Sequence, residues 1–74
     1  MNTRIYTTRE DYAREVWASL DAQTQADILA DYDMSYGLMF LMAFTDNMDS
    51  RYNGTVTFTR VEGGYTVEDE AGAL

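Results

Sequence analysis

The spacing of apolar residues divides the chain into parts. From Tyr12 to Leu20 the positions Tyr12, Ala13, Val16, Trp17 and Leu20 recur at steps of one, three, one and three, the stripe of an amphipathic helix. In the middle, Tyr36-Gly37-Leu38-Met39-Phe40-Leu41-Met42-Ala43-Phe44 is apolar throughout. Read as a helix it is apolar on every side, and burial on most sides is expected. From Thr55 the period falls to two. Thr55-Val56-Thr57-Phe58-Thr59-Arg60-Val61 alternates Thr with larger side chains, as a half-buried strand does.

Turn and cap residues set the boundaries. The first helix is predicted at about 9–20, with Thr7 and Thr8 as N-cap candidates. Thr7-x-x-Glu10 has the spacing of a capping box, in which two side chains satisfy each other's orphan backbone donors. Glu10 and Arg14, four apart, are set to pair, and Trp17 is expected to anchor the core. A second helix, about 22–32, starts from Asp21 or Thr24 as cap and turns Ala22, Ala26, Leu29 and Tyr32 inward. Ser35 caps the central helix, about 36–47. Asn53-Gly54 is a turn, and Glu62-Gly63-Gly64 joins strands 55–61 and 65–69 into a hairpin with Val56, Phe58, Tyr65 and Val67 on its apolar face. A lone hairpin is marginal, so it needs the central helix or a short N-terminal strand at 2–7. Glu68-Asp69-Glu70 begins an acidic tail. The prediction is one α+β domain over residues 1–74: three helices followed by a C-terminal β-hairpin.

Composition narrows the chemistry. The chain has no Cys and no His, which removes disulfides, thiolate metal sites and the commonest general base. No metal, cofactor or catalytic group is expected. Asp31-x-Asp33-x-Ser35 imitates the opening of a calcium loop, but Tyr36 and Met42 stand where that loop needs its Gly and its bidentate acid. Carboxylate pairs at 27/31 and 46/49 suit acid–base work only inside a pocket, and so short a chain has little room for one. An enzyme is not expected. The longest apolar run falls short of the ~20 residues of a membrane span, and no basic-then-apolar segment opens the chain. A cytoplasmic location without membrane association is the expectation.

Charge changes the picture most. The net charge is −8, and all five basic residues are Arg: Arg4, Arg9, Arg14, Arg51 and Arg60. Between Glu15 and Ser50 stand seven acids, Glu15, Asp21, Asp27, Asp31, Asp33, Asp46 and Asp49, with no Arg or Lys among them. With no local cation, they are expected to make a negative field that repels nucleic acid and attracts basic protein surfaces. The candidate contacts are Asp27, Asp31, Asp33, Asp46 and Asp49, with Tyr32, Tyr36 and Tyr52 as amphipathic anchors, since Tyr offers a large area with a polar tip. Asp31/Asp33 and Asp46/Asp49 bracket the central helix, whose rigidity would set their separation. Two other readings stay open: a homo-oligomeric or accessory interaction domain whose acidic face is merely solvated, as monomer or homodimer, and a salt-adapted domain whose acidity keeps it hydrated.

In its length, net charge, base-free acidic stretch 15–50 and missing His and Cys, the chain resembles the small acidic anti-CRISPR and anti-restriction inhibitors of bacteriophages. Some of these are DNA mimics. The resemblance is one of type, with no signature motif, and the apolar run 38–44 departs from a simple charge rod. It implies an inhibitor without cofactor, acting in a host bacterium on the basic surface of a nucleic-acid-binding defence complex, a CRISPR effector above all, by covering its DNA-binding surface.

Overall fold

Local capping chemistry starts the first two helices. In the computed structural model, which describes residues 4–69, α1 runs Arg9–Ser19 from an N-cap at Thr8. The Thr8 hydroxyl accepts from the Asp11 amide, and the Asp11 carboxylate accepts from the Thr8 amide, each at 3.2 Å. The capping box is therefore Thr8/Asp11, one residue later than Thr7/Glu10. Tyr6 explains the shift. Its amide and carbonyl both pair with Tyr65, at 2.9 and 2.8 Å, which holds the chain extended just before the helix. The ion pairs move too: Arg14 reaches Asp11 at 2.7 Å, while Glu10 lies 3.7 Å from Arg9.

The second helix, α2, runs Ala22–Tyr32 with Asp21 as N-cap, whose carboxylate accepts from the Thr24 amide at 2.9 Å. It ends in a Schellman turn: the Met34 amide donates to the Leu29 carbonyl and the Asp33 amide to that of Ala30. Asp33 takes the left-handed position, at φ 53. The inward stripe is Gln25, Ile28, Leu29 and Tyr32, while Ala22 and Ala26 are exposed. Longer side chains are needed to reach the core from α2; the Gln25 amide even donates to the Trp17 carbonyl, at 2.8 Å.

The third helix, α3, runs Leu38–Met48. Ser35 does not cap it. Gly37 precedes its first turn with no side-chain cap, because the Schellman turn and Tyr36, stacked on Trp17 at 5.6 Å, lie outside the helix. The expected burial on most sides is also corrected. Phe40, Leu41 and Thr45 are buried, but Leu38, Met39 and Met42 are 62%, 76% and 51% exposed. One layer of helix covers one face of α3, and a chain this short has little surface left with which to cover the other.

Strands β1 (Val56–Val61) and β2 (Gly64–Asp69) form the hairpin in register Phe58↔Val67 and Arg60↔Tyr65. The loop Glu62-Gly63 puts Gly63 at φ 90, a backbone that favours glycine. At Gly64 a Cβ would fall 2.0 Å from the Tyr6 carbonyl oxygen, so the bridge from Tyr6 to β2 depends on a bare backbone there. That bridge is all that the described residues show of an N-terminal strand; positions 2 and 3 of the expected 2–7, and the tail from Glu70, lie outside them.

Two hydrophobic clusters result. Ala13, Trp17, Phe40 and Leu41 centre the helical one, ringed by Ile28, Leu29, Tyr32 and Phe44. Tyr6, Tyr12 and Val56 centre the other, with Val16, Phe58 and Val67. Met48 packs on both and joins the helices to the hairpin.

Candidate interaction surface

The seven acids of the base-free stretch do not share one environment. Asp49 is 4% exposed. Its carboxylate accepts from the Arg9 guanidinium at 2.9 Å and from the Arg51 amide at 3.0 Å. Its carbonyl collects the amides of Tyr52, Asn53 and Gly54, and its own amide donates to Thr45. Asp49 is thus the node of the turn that leads from α3 to the hairpin. The same guanidinium reaches Asp46 at 2.9 Å and lies 5.8 Å from the centre of the Phe58 ring. Burial acts to lower the Arg9 pKa, but the hydrogen bonds to Asp46 and Asp49 outweigh it and raise the value. Asp46 and Asp49 therefore share one internal cation, a residue 37 and 40 positions away, and Asp49 is not available to a partner.

Glu15 is paired as well. Arg4 forms an ion pair with it and lies over the Tyr6 ring at 4.8 Å. A hydrogen bond from Tyr6 chiefly, and the Arg4 contact with it, holds the Glu15 carboxyl below its ordinary range despite some desolvation. In return, burial first and Glu15 second push the Tyr6 hydroxyl up to about 12. Asp21 is committed to its cap, and its pKa is lowered by the Thr24 hydrogen bonds.

Asp27, Asp31 and Asp33 remain. All three are exposed at the surface of α2 and its C-terminal turn. Asp27 accepts from the Gln23 side chain at 3.0 Å, and among the described residues none of the three has a cation within ion-pair distance. The acidic face of five contracts to these three.

The tyrosines divide likewise. Tyr32 is a core residue: its ring packs edge-on against Phe40 at 5.2 Å, and its hydroxyl accepts from Asn47 at 2.7 Å. Tyr52 is exposed but belongs to the Asp49 turn, with Arg51 over its ring at 5.0 Å. That turn lies at the far end of α3, roughly 16 Å along an 11-residue helix from its start. Tyr36 is half exposed and sits where α2 leads into α3, one face on Trp17.

What sequence reasoning missed is the open side of α3. Leu38, Met39 and Met42 fall three and four apart, so they form one patch on the helix. It begins next to Tyr36 and a few residues after Asp31 and Asp33. The signal was present in the sequence: a helix apolar all round needs neighbours all round, and the rest of the chain offers α1 and α2 on one side. Among the described residues no cluster of acids suits a metal ion, and no helix is long and apolar enough to cross a membrane. Comparisons with protein-family models, with curated proteins and with solved structures gave no match.

Proposed function

We propose that the chain is an inhibitor-type binding protein that docks its α2–α3 corner on a basic surface of a nucleic-acid-handling protein and so occludes it. A CRISPR effector is the target class implied by the resemblance in charge and size. The observation that carries this reading is two exposed features on consecutive helices, the apolar residues Leu38, Met39 and Met42 of α3 and the acids Asp27, Asp31 and Asp33 of α2 and its C-terminal turn, which have no internal cation among the described residues. An apolar centre with a polar rim is the anatomy of a protein interface. Methionines suit such a centre because they repack around a partner, while unpaired carboxylates steer basic surfaces in and turn nucleic acid away. The test is a pull-down from bacterial lysate, with and without duplex DNA. A basic nucleic-acid-binding protein is expected to be retained, released by DNA, and lost by the double variant Asp27→Lys/Asp31→Lys. Retention of the same protein by that variant, unmoved by DNA, overturns occlusion by an acidic face.

The exposed side of α3 also favours a second reading, a homodimer in which two copies pair these faces. Gel filtration across a wide concentration range separates the two. A dimer that Met39→Glu turns into a monomer supports it, and a monomer throughout rejects it.

A further inference from the structure

The positive charge of this acidic chain is concentrated in one place. Arg9, Arg51 and Arg60, three of its five arginines, line a groove of about 590 Å³ between the turn after α3 and the hairpin, walled by Phe58 and Tyr65. The three guanidinium groups differ in what they have left to offer. Arg9 is consumed by Asp46 and Asp49. Arg51 is largely exposed, and the carboxylate nearest it, that of Asp49 at 3.9 Å, is already held by Arg9. Arg60 is exposed and, among the described residues, has no ion pair, hydrogen bond or ring contact. An unmatched cation is notable where acids outnumber bases thirteen to five.

The acids in and around the groove fix which end is usable. Glu10 and Glu62 line a second pocket, which shares Arg9, Arg60 and Tyr65 with the groove, and an anion would be repelled there. At the Arg51 end the carboxylate is Asp49, which lies between Arg9 at 2.9 Å and Arg51 at 3.9 Å.

We propose that this groove binds the phosphate group of a small phosphorylated molecule, with Arg51 and Arg60 as its cationic clamps. Arginine forks match phosphate oxygens two at a time, and the rings of Phe58 and Tyr65 give the remainder of the ligand an apolar wall. The net charge of −8 selects against a long polyanion, which would meet the acidic remainder of the surface. This site is independent of the α2–α3 corner.

The test is an NMR titration of the full chain with pyrophosphate, following backbone amides and arginine side chains. Saturable shifts confined to Ser50, Arg51, Thr57 and Arg60 are expected. Arg60→Ala and Arg51→Ala should each weaken binding about tenfold, the loss of one charge-assisted hydrogen bond, while Arg14→Ala leaves it unchanged. Arg60→Ala removes no ion pair or side-chain hydrogen bond among the described residues, and an unchanged denaturation midpoint in that variant separates loss of binding from loss of structure. Non-saturating shifts spread over all five arginines, an equal response to sodium chloride at matched ionic strength, or binding of an oligonucleotide without binding of pyrophosphate overturns the proposal.

Discussion

Two acid pairs bracket α3, Asp31/Asp33 before it and Asp46/Asp49 at its end, and their surroundings are opposite. The pair at the C-terminal end is drawn into the joint between helices and hairpin and matched by Arg9. The pair at the N-terminal end stands in solvent with no cation among the described residues. The two pairs look alike on the page. The difference comes from the start of the chain: α1 packs along α3, and its first residue meets the last turn of α3 and the turn beyond. Net charge therefore overstates the acidity that is free to act, because part of it is structural mortar.

The strongest way to break this comparison is at Asp49. Asp49→Ala leaves the half-buried Arg9 short of a carboxylate and strips the turn of its side-chain acceptor. A loss of roughly 3 kcal/mol is expected, the cost of breaking a buried pair by one partner, read by urea denaturation. A double-mutant cycle with Arg9→Met should come out well short of additive.

Asp33 has the opposite sign. It occupies a left-handed position that favours glycine, so Asp33→Gly should raise stability by about 1 kcal/mol. The same change should weaken capture of a basic partner. A variant that is firmer yet binds less well separates folding from recognition, and one that is both firmer and equally competent removes Asp33 from the interface.

Smaller still is the effect on the fold of Asp27→Lys/Asp31→Lys. Both positions are solvated, and the change in denaturation midpoint should correspond to about 0.5 kcal/mol or less. A large loss would mean that these acids are structural after all.

Glu15, the third acid paired from the start of the chain, is legible through pH at the alkaline end, by way of the Tyr6 hydroxyl it meets. Tyr6 ionises near 12 in the fold, against its ordinary value of 10. Its contribution is fully present below pH 10 and is lost as pH rises through that window, because the unfolded chain gives up the proton first. Tyrosinate absorbance should show Tyr6 as a late step, and Glu15→Gln should bring that step down.

Much of the fold was legible because its causes are local. The Asp21 cap, the break after Tyr32 and the hairpin loop are each decided within a few residues, and the bounds of α2 and the hairpin follow from them. Trp17 was legible as core because the stripe of α1 has one inward direction. Thr8 displaced Thr7 because Tyr6 is bridged to Tyr65, a pairing that nothing near Thr7 announces. The fate of Asp49 depended on a side chain 40 positions away, and the bare side of α3 depended on how much surface the other helices had to give. Sequence patterns report what a segment is able to bury; whether a neighbour arrives to bury it is a property of the assembled chain.

The stacking of Tyr36 on Trp17 gives the molecule a built-in optical reporter. Trp17 is the only tryptophan, and one face of its indole is shielded by the ring of Tyr36, which is itself half exposed where α2 leads into α3. A partner that covers the α2–α3 corner, Tyr36 included, presses on that ring or pulls it away. Either movement changes the polarity around the indole, and with it the colour and yield of its emission. An unlabelled sample in a fluorimeter can thus register occupancy of the α2–α3 corner, while a ligand in the arginine groove, against the other cluster, should leave that emission dark to its arrival.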